Sequence, residues 1–283
     1  MENIIQRNTT QAYQSDMAIY AIETNRRRAF ADYKDGMKLC QRRIIYAMAF
    51  DLACKSRLVK TAKVTGQVMG TYHPHGDTSI SDAIKPLCNW FETYIPLLWS
   101  ESNMGSMQGD RAAASRYTEV MLNRFTLDYV LKDVLEARDV VDWVKNYSGD
   151  KDEPESLPVA VPLLLINGTY GIGTGKAVSI PPHNTTEVID ATLRLLDDPN
   201  APVVLIPDQC MPCDIIDNNW KQISNTGSGK FTVRAHIDIE VMNKGTAKEH
   251  QALIIKSVPN DVFIDKGNAE NGGVISVSYT HLR

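Results

Sequence analysis

The apolar residues of this chain change their period about halfway along, which restricts it to a helical part followed by a strand-bearing part. Up to about residue 135 they recur at helical spacing. From Val159 onward they come in short runs and alternations, "VPLLLI", "VVLIP", "KFTVRAHIDIEV" and "QALIIKSV", with Gly, Asn and Pro between them. The pattern predicts an α+β chain. In the first part, Ser15 or Asp16 can cap a helix through "MAIYAIETNRRRAFAD", Asp35 and Gly36 mark a turn, and a second helix follows in "MKLCQRRIIYAMAFDLAC". A third runs from about Lys60 to Gly70. Pro74 and Gly76 then interrupt, and Asp77 or Thr78 can cap a fourth, "SISDAIKPLCNWFETY", which Pro86 should kink or shorten. The tight turn before this fourth helix suggests a helix-turn-helix core. A helix from about Asn123 to Leu135 closes the part, and the acidic "NYSGDKDEPESLP" reads as a loop separating it from the second, whose helix lies near "TTEVIDATLRLLDD".

Composition excludes several classes. With 283 residues, 43% hydrophobic and 23% charged, the chain is not a disordered one. Its longest apolar run, "VAVPLLLI", is too short to cross a bilayer and contains a proline, and the polar N-terminus has no signal core. A soluble, cytoplasmic protein is the expectation. Five scattered cysteines suit a reducing compartment, and "CMPC" at 210–213 lacks the second pair that structural zinc would require.

Net charge is −4, yet the charge is segregated. Between Arg26 and Lys63 there are eleven Lys and Arg against three acids, a local net of +8 that leaves −12 for the rest. A basic helix face can be merely solvated. Concentration on one stretch is also what an anion-binding face shows, because Lys and Arg contacts to phosphate dominate nucleic-acid affinity.

The glycine cluster "NGTYGIGTGKAV" is not a nucleotide loop. A P-loop would need glycine at Tyr170 and a hydroxyl residue at Ala177, and a dinucleotide fingerprint would need a third glycine where Lys176 or Val178 stands. The glycines do permit close backbone approach, with Ile172 presented between Gly171 and Gly173. Such an isoleucine is more often a packed loop residue. The alternative is a wedge that enters a base step. Arg116-Tyr117 in "AAASRYTEV" is likewise commonplace alone, and gains meaning only from its context.

Four stretches together, "DGMKLCQRRIIYAM", "YHPHGDTSISDAI", "GSMQGDRAAASRYTEV" and "LLINGTYGIGTGKAVSIPPHN", resemble the A-type subunits of type IIA DNA topoisomerases: the A subunits of DNA gyrase and topoisomerase IV, and their phage-encoded equivalents. Their order and approximate spacing match from about Tyr13 to about Ile264. The resemblance implies an N-terminal arm and helix over 1–25, a winged-helix (CAP-like) breakage-reunion domain over 26–148, and a strand-rich tower domain over 149–283, incomplete at its end. It implies that Tyr117 attacks a DNA phosphodiester to give a transient 5′-phosphotyrosyl bond. A phenol is protonated at neutral pH, so this chemistry needs cations at the developing charge. Arg116, His75 and Arg28 are the implied catalytic partners; Lys38, Arg42, Arg43, His73 and Lys63 would grip DNA, and Ile172 would intercalate and bend it. Thr78 and Asp82, one helical turn apart, take the positions that hold a quinolone drug through a hydrated metal. Ala112, Ala113, Ala114 and Ser115 would let DNA lie close to Tyr117.

The resemblance also implies what lies outside the chain. Mg²⁺ and ATP would be bound by a B-type partner with Toprim and ATPase domains, with two A-type and two B-type chains in a heterotetramer on double-stranded DNA. No metal site is expected in this chain. Phe30-Ala31 and Leu39-Cys40-Gln41 depart from the family's Leu-Pro and Pro-His patterns, so the DNA grip differs in detail. The closing "VSYTHLR" fits no expected element and points to a contig end or read-through of non-genomic sequence. A tyrosine recombinase or type IB topoisomerase also pairs Arg, His and Tyr, but gives the glycine loop no role. A non-catalytic winged-helix DNA-binding protein needs neither Arg116-Tyr117 nor Ile172.

Overall fold

The computed structural model describes residues 8–216 and 219–260. The start of the expected arm, the end of the expected tower and "VSYTHLR" lie outside the described residues. Helix α1 (Thr9–Thr24) begins at Asn8, not at Ser15 or Asp16: the Asn8 Oδ1 accepts from the Thr10 and Gln11 amides. No residue of α1 is buried, so its cap and not its apolar pattern sets its start. It runs into a single π-helical turn, Asn25–Ala29, closed by the Phe30 amide donating to the Asn25 carbonyl at 3.0 Å.

The chain then forms α2 (Leu39–Phe50), strand β1 (Val59–Lys60), α3 (Thr61–Thr71), α4 (Asp77–Cys88), β2 (Leu98–Ser100) and β3 (Glu119–Leu122). The three strands make one antiparallel sheet in the order β1-β3-β2. Helices α3 and α4 pack together across the "YHPHG" turn. On α4, Ile80, Ile84 and Leu87 face inward at helical spacing, which leaves Thr78, Asp82 and Lys85 on the opposite stripe. Pro86 shortens the helix, as expected: it ends two residues later, and the freed Pro86 carbonyl accepts the Thr93 hydroxyl.

One core joins these elements. Ile44, Ile45 and Met48 of α2, Val64 and Val68 of α3, Ile80 and Ile84 of α4, and Leu98, Val120 and Leu122 of the sheet are all fully buried. Burying each such side chain contributes about 1.5–3 kcal/mol, enough to fix the relative positions of the helices.

Beyond this point the structure departs from the sequence pattern. The expected helix at 123–135 is split into a π-turn, Thr126–Val130, and a short α5 (Lys132–Glu136), because Thr126 and Tyr129 bond outward to the Leu97 carbonyl and the Ala160 amide. The acidic stretch expected to separate two parts is instead a hairpin of β4 (Trp143–Lys145) and β5 (Asp152–Pro154) docked on the first part. Its Asn146 and Tyr147 side chains donate to the Thr71 and Gly70 carbonyls at the end of α3, and Glu153 pairs with Arg43. "VPLLLI" is not a strand but α6 (Leu163–Asn167), whose Leu163 joins the same core as Leu157. A continuous apolar run does not distinguish a buried helix from a buried strand. The first core therefore continues well past residue 149.

After α6 come the hairpin β6 (Thr169–Ile172) and β7 (Ala177–Ile180), then α7 (Thr185–Asp197), the helix expected near "TTEVIDATLRLLDD". "VVLIP" contributes only a single bridge, Pro207 to His183. Strand β8 (Asp214–Ile216), α8 (Trp220–Thr226), β9 (Thr232–Arg234), β10 (Ile237–Met242) and β11 (His250–Ile255) follow, pairing as the ribbons β8–β9 and β10–β11. Among the described residues, no helix is long and apolar enough to cross a membrane.

Candidate active site

Tyr117 sits just before β3 on a loop stapled to the start of α3. The first two amides of α3 donate into that loop, Thr61 to the Thr118 carbonyl at 2.9 Å and Ala62 to the Ser115 carbonyl at 3.0 Å, and Thr118 and Thr61 join their hydroxyls at 2.8 Å. The Tyr117 amide closes a turn onto the Ala114 carbonyl at 2.8 Å. The backbone is thus fixed while the ring is 64% exposed, a poor place for a phenol held only for packing. Arg116 lies over the ring, its guanidinium carbon 4.7 Å from the centroid. Lys60 adds a second cation, shared between Glu119 at 2.9 Å and the Tyr117 carbonyl at 3.5 Å.

A second cluster forms at the other end of α3. His73 and His75 stack with ring centroids 4.2 Å apart, and Arg43 reaches the His73 Nδ1 at 3.0 Å. Since a guanidinium only donates, this Nδ1 is an acceptor and the ring is neutral. Burial, with the charges of His75, Arg43 and Arg28 around it, lowers His73 from 6.5 to about 4. His73 can therefore offer a phosphate an N–H but not a positive charge. Arg28 and His75 are exposed, with no carboxylate at salt-bridge distance among the described residues.

Arg42 and Arg43 depart from the expected surface role. Arg42 is 5% exposed and forks onto Asp35, its Nη2 bonding Oδ1 at 3.0 Å, with Asp32 at 3.4 Å. Asp35 in turn accepts from the Leu157 amide, so this guanidinium braces the turn before α2 from inside. Arg43 is held by Glu153 through bonds of 2.7 and 2.5 Å and acts on the surface only through His73. Lys38 is partly committed: its ammonium donates to the Tyr170 carbonyl at 2.7 Å, and burial lowers its pKa, yet among the described residues no carboxylate pairs with it. Lys63 is exposed on α3.

Ile172 is 71% exposed at the end of β6, not packed in a loop. Its flanking glycines are explained by contact. A Cβ on Gly171 would lie 2.0 Å from the Ala29 carbonyl oxygen, and one on Gly173 would lie 2.2 Å from Asn25 Oδ1 and 2.9 Å from the Phe30 ring. The hairpin is pressed on the π-turn that carries Arg28, and Phe30 fills the space below it.

The structure therefore groups Arg28, Arg43, His73 and His75, brings Lys38 to the Ile172 hairpin, and sets Tyr117 with Arg116 apart. Eleven residues of α3 separate the two ends, about 16 Å of helix. Thr78 and Asp82 are exposed together on α4, Asp82 paired with Lys85 at 2.6 Å. Among the described residues, no three His, Cys, Asp or Glu lie together as a metal site. Asn25, Asp35, Lys60 and Glu153 were not legible as site residues; only Asp35, beside the turn glycine, carried a local signal.

An exposed Arg-Tyr pair, a basic and imidazole cluster and a glycine-seated isoleucine on one α+β scaffold mark out a narrow class, and comparison with known proteins agrees. The family profile of the DNA gyrase/topoisomerase IV A subunit matches residues 28–269, and the chain belongs to that family. It is 40% identical over 251 residues to the DNA gyrase A subunit of Granulibacter bethesdensis, covering 86% of this chain and 26% of that protein. It is 42% identical over 243 residues to that of Campylobacter jejuni, covering 82% and 27%. With the chloroplastic/mitochondrial DNA gyrase A subunit of Nicotiana benthamiana it shares 36% over 263 residues, covering 90% and 27%. The chain thus spans less than a third of the length of these curated relatives.

Proposed function

We propose that this chain is the DNA-cleaving and rejoining part of a type IIA topoisomerase A subunit, with Tyr117 as nucleophile. In this reading α3, α4 and the three-stranded sheet are a winged helix of CAP type, and the ribbons after α7 belong to a tower. The Tyr117 oxygen attacks a backbone phosphorus and loses its proton. The 3′ oxygen leaves as a hydroxyl, and a 5′-phosphotyrosyl ester remains. One phosphodiester replaces another, so the reverse step reseals the strand with no external energy source. Arg116 and Lys60 stabilise the charge that develops on the phosphate and phenolate oxygens. Divalent metal, assigned to a B-type partner along with ATP, supplies Lewis-acid stabilisation of the attacking and leaving oxygens when bound.

The observation that carries this reading is an exposed phenol on a fixed backbone under a guanidinium. Because α3 holds Tyr117 far from Arg28, His73 and His75, the homodimer assigned here would let Tyr117 of one copy meet that cluster on the other. Ile172, standing free on its hairpin, would wedge into a base step and bend the duplex toward the nucleophile. Thr78 and Asp82 would take a quinolone through a hydrated metal. With its B-type partner and Mg²⁺, the chain is expected to form covalent adducts at DNA 5′ ends, and Tyr117→Phe to abolish them with DNA affinity within a few fold. Undiminished adducts in Tyr117→Phe exclude the assignment; binding without any adduct in the wild type favours a non-catalytic winged-helix protein.

A further inference from the structure

A free two-stranded ribbon is marginal in water, so something must hold the β6–β7 hairpin if Ile172 is to act as a stiff finger. Register makes the finger prominent. Tyr170 and Ile172 share the outer face, 56% and 71% exposed, opposite the small Ser179 and Ala177. Three ties hold the ribbon from behind. Gly171 lies flush on Ala29, the Lys38 ammonium caps the Tyr170 carbonyl, and the Asn25 side chain grips the tip. The third is a two-point clamp: Asn25 Nδ2 donates to the Thr174 carbonyl at 3.2 Å, and the Thr174 amide donates to Asn25 Oδ1 at 2.7 Å. The amide side chain thus pairs with both backbone groups of Thr174, as a neighbouring strand would.

We infer that Asn25 is the positioning residue that sets the Ile172 finger in register with the phosphate-binding cluster, an inference that rests on the wedge role proposed above. Asn25 is itself well held. Its amide caps α1 on the Ala21 and Ile22 carbonyls, and its carbonyl closes the π-turn on Phe30. Arg28, in that same turn, joins the field around His73. The clamp therefore ties the finger and the cluster to one turn of backbone. Only a short side chain with both a donor and an acceptor can do this. Aspartate would keep the acceptor alone, alanine neither, and glutamine would push its longer amide into Gly173.

Two hydrogen bonds of ordinary net strength amount to a roughly 10- to 100-fold change in the ratio of docked to released finger. The test uses the full chain with its B-type partner, a short duplex labelled at both ends, and energy transfer as the measure of bending. Asn25→Ala is expected to lose most bending and to cut cleavage about tenfold or more. Affinity should stay within a few fold with an unchanged salt slope, since the phosphate contacts remain. Hydrogen exchange at the Thr174 amide should rise with little change in melting temperature, and Asn25→Asp should fall between. Gly173→Ala should show a bending defect as well, since its added carbon would meet both Asn25 Oδ1 and the Phe30 ring beneath the hairpin. Normal bending by Asn25→Ala while Ile172→Ala fails to bend overturns the inference alone. Normal bending by Ile172→Ala removes the wedge itself, and this inference with it.

Discussion

Glu153→Gln should be among the most destabilising near-isosteric changes in the first part of the chain. The side chains of Arg43 and Glu153 are 12% and 5% exposed, and they share bonds of 2.7 and 2.5 Å. The substitution leaves no cavity. It removes the counter-charge of a buried guanidinium and turns one acceptor into an amide N–H facing a donor. At an effective dielectric constant near 20, charges about 4 Å apart attract by about 4 kcal/mol, and breaking a buried pair from one side costs about 3–5 kcal/mol. Gln keeps one acceptor, so a loss of about 2–4 kcal/mol is expected. Urea unfolding would report it as a lower midpoint at constant slope. The effect should also reach His73, because Arg43 holds its Nδ1: without Glu153, the unneutralised guanidinium should push the His73 titration further below its ordinary range. Replacing both partners, Arg43→Met with Glu153→Leu, should recover most of the stability while releasing His73. A Glu153→Gln chain that unfolds at the wild-type midpoint would show the pair to be solvated and refute the argument.

Acidification should weaken the fold through His73, whose folded value near 4 lies below 6.5: the unfolded chain takes the proton first, so this stability is complete above about pH 6.5 and lost as pH falls toward 4. After allowance for its partial exposure the term is about 1–2 kcal/mol, with His183 shifted in the same direction, and His73→Gln should flatten the pH dependence of the melting temperature in that window; an unchanged slope would contradict the assignment. Gly171→Ala should cost about 1–3 kcal/mol and disturb the Ile172 hairpin, since the added carbon meets the Ala29 carbonyl; a wild-type melting temperature would show that the two backbones part easily. Quinolone-stabilised cleavage should be largely lost in the Thr78→Ala, Asp82→Ala double variant, and equal drug response in that variant would move the drug away from this face of α4.

Local chemistry was legible where it repeats along the chain. The periods of α2, α3 and α4, the turn at Asp35 and Gly36, the early stop at Pro86 and the strands at "KFTVRAHIDIEV" and "QALIIKSV" all depend on neighbours a few residues away, so the sequence alone determined them. The Arg-Tyr pair and the glycine-flanked isoleucine were visible for the same reason. Short apolar runs were not: "VPLLLI" became a helix because the first core received Leu163 while Ile166 is buried one turn on, a choice no period encodes. Tertiary structure alone decided which cations stay free. Asn25 meets Thr174 across 149 positions, Lys38 meets Tyr170 across 132, and Arg43 meets Glu153 across 110. Eleven basic residues in one stretch gave the sign of the surface, but whether each guanidinium faces solvent or a buried carboxylate depends on which distant segment folds against it. Desolvation and pairing act through space, and for that reason Arg43 is taken up by Glu153 while Arg28 remains at the surface.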